Sequence, residues 1–237
     1  MELILEGVLT AFRLVFSGDA EVWTITWLSL KVSGTATVIA LTLGIPLGIL
    51  MAMTRFPGRA FAVALINTGM GLPPVVVGLF ISVLLWRSGP LGFLNLIYTP
   101  AAMVIAQVAI AFPIVAGLTM AAFQTLNPKL NLQLLGIGAS RPQLLWLLCT
   151  EARLPLLAAV MAGFGGVISE VGSVLMVGGN IKGQTRVLTT ATVLETSMGN
   201  FGTAIALGVI LLTLAFGVNF LLTRIQQREQ IRWPRPS

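Results

Sequence analysis

Glu170 is the side chain in this sequence that most needs a chemical reason, because the only charge between Arg153 and Lys182 is its carboxyl. If that run crosses a membrane, an ionised carboxylate there costs on the order of 3 kcal/mol or more unless it is paired or wetted. Glu170 can serve as a gate, as a contact that orders a pathway, or as a protonated or hydrogen-bonded carboxyl that locks two helices. Acid–base catalysis would need a second group, and Glu195 falls on a different level of the chain. The sequence has no histidine, so the commonest general base and the commonest metal ligand are both missing. The single cysteine, Cys149, stands beside Leu147 and Leu148, where it reads as packing. No catalytic residue, metal site or cofactor is expected.

The segment Gly178-Gly179-Asn180-Ile181-Lys182-Gly183-Gln184-Thr185 has the glycine spacing of a phosphate loop, but Gln184 stands where the lysine belongs. Thr189, Thr190, Thr192, Thr196 and Ser197 follow with neutral hydroxyls, and Lys182 and Arg186 bring charge. Such a set can receive an oxyanion or a partner protein. A solvated loop is the plainer alternative.

Composition decides what must hold these residues. Of the 237 residues, 56% are apolar and only 9% are charged, whereas soluble domains carry roughly a quarter charged. The charges cluster between long apolar runs, which is the pattern of membrane spans. A helical crossing takes roughly 20 apolar residues, and five stretches qualify: 28–53, 60–86, 100–126, 154–177 and 201–223. Residues 1–20, interrupted by Glu6 and Arg13, suit an amphipathic helix at the interface. A sixth, marginal span is the alternative. Glu2 and Glu6 stand where a signal peptide would be basic, so this segment is expected to stay. The fold class is therefore an all-α polytopic membrane protein of about five transmembrane helices plus an N-terminal interfacial helix, in one domain over 1–237.

Orientation follows from Lys and Arg near the span ends. With the C-terminus cytoplasmic and the N-terminus periplasmic, Arg55, Arg59, Lys129, Arg141, Arg153, Arg224, Arg228, Arg232 and Arg235 all fall inside, on 54–59, the loop 127–153 and the tail 224–237. The net charge of +6 thus belongs to span ends and not to a nucleic-acid face. Within the spans, Pro73 and Pro74 beside Gly69, Gly71 and Gly78 predict a kink lining a pathway. Gly163, Gly165, Gly166 and Gly172 with Ser169 and Ser173 form a small-residue face, suited to a dimer seam or a pore wall.

The loop 127–153 is unusually apolar. Leu132, Leu134, Leu135, Leu144, Leu145 and Leu148 need burial, and a partner protein can supply it. Around them, Gly138-Ala139-Ser140 and Leu154-Pro155 resemble the glycine centre and the end of the cytoplasmic loop of permeases in binding-protein-dependent ABC importers. Leu132-Gln133-Leu134 departs from that loop's leading Glu-Ala-Ala, and the glycine-to-proline distance is about one helical turn longer. Both departures resemble the tungstate-type branch, which reads Leu-Gly-Ala-Ser-Arg and then Glu-Ala-Arg. The stretches Ile168–Gly172, Met176–Ile181, Thr185–Ala191 and Val193–Thr196 are similar to that branch too.

The resemblance implies a MetI-like permease in a bacterial inner membrane, without chemistry of its own. It implies a second copy of the chain, cytoplasmic ABC ATPase subunits, a periplasmic substrate-binding protein and an oxyanion cargo, tungstate first. Molybdate or sulfate are alternatives within the same architecture; a membrane-embedded enzyme or an ion-driven carrier are remoter ones. Leu132, Gln133, Leu134, Leu135, Gly138, Ala139, Ser140, Arg141, Leu144 and Leu145 become the expected docking loop for the ATPase. There the glycine allows close backbone approach and the leucines give the buried contact. Pro73, Pro74, Gly78, Ser169, Glu170, Gly172, Ser173, Thr189 and Thr190 become the expected pathway or gate.

Overall fold

A computed structural model describes residues 2–232. Arg235, expected in the cytoplasmic tail, lies outside the described residues, as do Met1 and the rest of 233–237. Among the described residues every regular element is helical, and eleven α-helices follow one another: α1 (Glu2–Phe16), α2 (Ala20–Met53), α3 (Arg59–Met70), α4 (Pro74–Leu85), α5 (Pro100–Gln124), α6 (Pro128–Gly136), α7 (Arg141–Glu151), α8 (Arg153–Ile168), α9 (Gly172–Gly178), α10 (Leu188–Ser197) and α11 (Phe201–Arg232). By length and composition α2, α5 and α11 can each cross a membrane unaided. Two bent pairs, α3–α4 at 104° and α7–α8 at 71°, raise the number to as many as five.

The longest helix, α2, starts eight residues before the expected span (28 − 20), because Asp19 caps it: its carboxylate accepts from the Val22 N–H at 2.9 Å. Trp23, Trp27 and Lys31 make one exposed stripe at a spacing of four, the arrangement that marks a lipid–water boundary. Another face of the same helix buries Ser29, Ser33, Ala36, Thr37, Ala40, Gly44 and Gly48. Small side chains at that spacing let backbones approach, and α5 answers with Ala102, Ala106, Ala111 and Ala116, all fully buried. A Cβ on Gly48 would sit 2.6 Å from the Ala116 carbonyl oxygen. The α2–α5 contact is the centre of the molecule, and α3, α4, α8 and α9 also pack on α5.

The Pro73–Pro74 pair breaks the second predicted span as expected, since proline removes a donor and restricts the residue before it. Gly69 and Gly117 let α3 press onto α5, where their Cβ positions would meet Pro113 and Met70. The N-terminal helix α1 is not isolated from the bundle. It packs along α11 through Gly7, whose Cβ position would overlap the Ile205 side chain, and through buried Ala11. Leu5, Leu9, Phe12 and Phe16 face outward.

Candidate functional site

Two places gather most of the sequence-predicted residues: a helix break at 169–171, and the helix pair α6–α7. At the first, α8 stops at Ile168 and α9 starts at Gly172, so a predicted continuous span is interrupted. A break frees carbonyls at the end of one helix and N–H groups at the start of the next, and in an apolar setting each must find a partner. Three side chains supply them. The Glu170 carboxylate accepts from the Ser173 N–H at 2.8 Å, the Thr189 hydroxyl donates to the Glu170 carbonyl at 3.0 Å, and the Gln107 amide of α5 donates to the Val167 carbonyl at 2.9 Å. Glu170 is only 9% exposed, whereas neighbouring Ser169 faces open space while its hydroxyl bonds back to the Gly165 carbonyl at 2.8 Å.

The expected pathway residues do not all share that opening. Gly78 is buried against Ser173, its Cβ position 2.6 Å from the Ser173 Cα, and Gly172 lies equally close to Val75. They form an intrachain seam between α4 and α9, whereas the small-residue pattern suggests a dimer seam or a pore wall. Gly163 likewise closes on Val115, and Gly165 alone of that set has nothing within 4 Å. Pro73 is exposed and Pro74 half-buried at the α3–α4 bend.

Thr189 and Thr190 correct the expectation of free hydroxyl donors. Both are buried in α10; besides the Thr189 bond to Glu170, Thr190 closes on the Val187 carbonyl at 3.1 Å. Thr192, Thr196 and Ser197 donate to carbonyls of their own helix. The glycine loop is also closed on itself: the Ile181 carbonyl accepts from the N–H groups of Gln184, Thr185 and Arg186, and the Ile181 N–H donates to the buried Thr185 hydroxyl. Those four N–H groups are therefore already engaged within the loop and are not free to cradle a phosphate. Lys182 and Arg186 pair with Glu21 of α2, at 2.6 and 3.4 Å, which fastens the loop to the start of that helix.

In the α6–α7 pair the glycine has a different cause from the one its sequence context suggests. Gly138 has φ of +84°, with nothing within 4 Å of its Cβ position, so conformation and not close approach requires it. The Gly138 N–H reaches the Leu135 carbonyl and the Ala139 N–H reaches the Leu134 carbonyl, a paired closure that ends a helix with a left-handed residue. Two residues later α7 begins at Arg141, with the Gln143 side chain accepting from the Ser140 N–H at 2.8 Å. Gly-Ala-Ser-Arg is thus a stop and a start.

The leucines divide. Leu144 and Leu148 are buried with Ala122, Phe123 and Ala152, and Leu134 packs on that cluster, so this chain covers what a partner was expected to cover. Leu132, Leu135 and Leu145 stay exposed, together with Ile137 at 80% and Trp146 at 69%. Ile137 and Trp146 both lie within the expected docking stretch 132–146, where the leucines alone carried the apolar argument. Gln133, Ser140 and Arg141 are exposed and Ala139 is half-buried. Cys149 is half-buried at the same cluster, and burial pushes its thiol above the ordinary range.

The profile of the family described as binding-protein-dependent transport system inner membrane component matches residues 44–231. A tungstate uptake system permease protein, TupB, from Peptoclostridium acidaminophilum is 41% identical over 227 residues, covering 96% of this chain and all of that protein. TupB of Campylobacter jejuni is 33% identical over 96% of this chain and 95% of its own length. The molybdenum transport system permease ModB of Escherichia coli K12 is 28% identical over 77% and 84%. Among solved structures, an inward-facing MetNI methionine ABC transporter superposes with a TM-score of 0.73, at 19% identity, over 89% of this chain and 98% of that one; this likeness speaks to the fold.

Proposed function

Because the chain belongs to the binding-protein-dependent transport system inner membrane components, the permease subunits of ABC importers, we propose that its cargo is tungstate. It has the MetI-type permease fold, and its relatives are transport subunits, not enzymes. The observation that carries the cargo is the 41% identity to a tungstate uptake permease, which extends over 96% of the chain. Molybdate is the second reading, favoured by the weaker likeness to ModB.

Two copies of the permease enclose one pathway, and two cytoplasmic ATPases and a periplasmic binding protein complete the machine. The chain crosses the inner membrane five times, with the N-terminus outside and the C-terminus inside; the bias of Arg and Lys toward 54–59, 127–153 and the tail supports this. The exposed apolar set Leu132, Leu135, Ile137, Leu145 and Trp146 docks on the ATPase. ATP-driven closure then moves α6–α7, and the 71° joint to α8 carries the motion to the break at 169–171. Ser169 lines the pathway there, and Glu170 orders it as the cap of α9 without touching the anion, since a carboxylate repels a dianion.

Uptake of radiolabelled tungstate by the reconstituted complex with its binding protein tests the assignment. Competition by tungstate at far lower concentration than by molybdate or sulfate is the expected result. Equal competition by molybdate, or stronger competition by sulfate than by tungstate, overturns it.

A further inference from the structure

Gln107 stands fully inside α5, in an uncharged stretch, at 3% exposure. A primary amide has two donors and an acceptor oxygen, and burying it is unfavourable unless they are engaged. Here the amide nitrogen donates to the Val167 carbonyl at 2.9 Å and lies 3.5 Å from the Ser33 hydroxyl, while the amide oxygen has no partner. An apolar side chain would fill this place among Ala106 and Ala111 without leaving an acceptor unpaired. The bond to Val167 is what sets the amide apart from such a side chain. Val167 is next to last in α8, two residues before the break begins at Ser169, and its carbonyl also accepts from the Glu170 N–H at 3.2 Å.

We propose that Gln107 is a positioning residue for transport: it latches the end of α8 to the rigid α2–α5 core, so that the break at 169–171 yields only when the ATPase-driven motion of α8 pulls this bond apart. The inference rests on the reading of that break as the moving part of the pathway, but not on the identity of the cargo. Three elements grip the break: Gln107 holds it from α5, Thr189 from α10, and the Glu170 cap holds the start of α9. Of the three, only Gln107 is anchored on α5, against which α2, α8 and α9 pack.

The test uses the reconstituted complex with Cys149→Ser in the permease, a Ser169→Cys reporter, and Gln107→Met, which keeps the volume and removes the donor. Thr119→Val on the same helix is the control, because the Thr119 hydroxyl is fully buried without a partner and has no contact with the break. Loss of one amide bond predicts, for Gln107→Met without nucleotide, about five-fold faster maleimide labelling at 169 and about five-fold fewer anions moved per ATP hydrolysed. The control leaves both unchanged. Gln107→Asn, one methylene too short to reach Val167, repeats the effect if Gln107→Met does not assemble. The double variant with Thr189→Val departs from the product of the single effects, as two grips on one joint should. Labelling and coupling that stay at the parent values in an assembled Gln107 variant, even with a lowered melting temperature, overturn the latch and leave a core amide of structural value only. Wild-type protein that moves no tungstate overturns the cargo alone, since labelling and ATP hydrolysis still read the latch.

Discussion

Gly48 and Gly138 owe their glycines to different causes, and substitution separates them. At Gly48 a methyl would meet the Ala116 carbonyl oxygen and the Thr119 Cβ at 2.6 Å, so Gly48→Ala must push α2 and α5 apart. Overpacking of this kind costs about 1–3 kcal/mol, to be seen as a lowered melting temperature in detergent. At Gly138 the space is open and only φ is unfavourable; Gly138→Ala costs about 1 kcal/mol and Gly138→Asn less. Glu170 admits the same kind of separation. Glu170→Gln retains an oxygen to accept from the Ser173 N–H and is expected to keep uptake within a few-fold. Glu170→Ala leaves that N–H unpaired, costs about 1 kcal/mol, and reduces uptake in the same vesicles. Loss of uptake in Glu170→Gln with unchanged stability would give the charge a role beyond capping. The sequence made Glu170 conspicuous through its isolation among apolar residues. It could not say where the carboxyl points, because that follows from a break that no proline announces.

The helix pair α6–α7 sorts its leucines by face. Ile137→Asp changes a side chain that is 80% exposed, so the isolated permease should melt as before while co-purification with the ATPase is lost. Leu144→Ala should do the reverse: it empties part of the cluster with Phe123 and Leu148, costs about 2–5 kcal/mol, and leaves whatever folds able to bind. If Ile137→Asp copurifies normally, this face is not the docking surface. Breaks were legible unevenly at this scale. Pro73-Pro74 announced the α3–α4 bend by chemistry alone, whereas the interruption at 169–171 depends on Gln107 and Thr189, whose hydrogen-bond partners are 60 and 19 residues away in sequence. Likewise Leu144 and Leu132 are the same residue type in the same loop, and only the position of α5 decides which of them is covered. The hydroxyls after the glycine loop read as free donors for the same reason, until the fold turns Thr190, Thr192, Thr196 and Ser197 onto nearby carbonyls of their own segment and Thr189 onto that of Glu170.

At the scale of the molecule, alternating access demands a rigid part and a moving part, and the packing offers a candidate for each. The α2–α5 seam, built from side chains no larger than threonine along much of its length, has little freedom to slide, because close backbone contact leaves no long side chain to adapt. The α6–α7 pair touches the bundle through one small cluster and joins α8 at a 71° bend, so force applied to it reaches α8 before it reaches the core. Under the proposed coupling, energy arrives at the α6–α7 pair through the ATPase. An ion-driven carrier would take it instead from a gradient acting on charges within the spans, and among the described residues Glu170 is the only carboxylate at such a depth, already engaged as a cap. Reconstituted vesicles distinguish the two sources. With ATP available to the ATPase, ionophores that collapse proton and sodium gradients should leave anion uptake unchanged. Without ATP, an imposed gradient should drive none. Uptake that follows the gradient and ignores ATP would mean that the exposed apolar face of α6–α7 serves some end other than coupling.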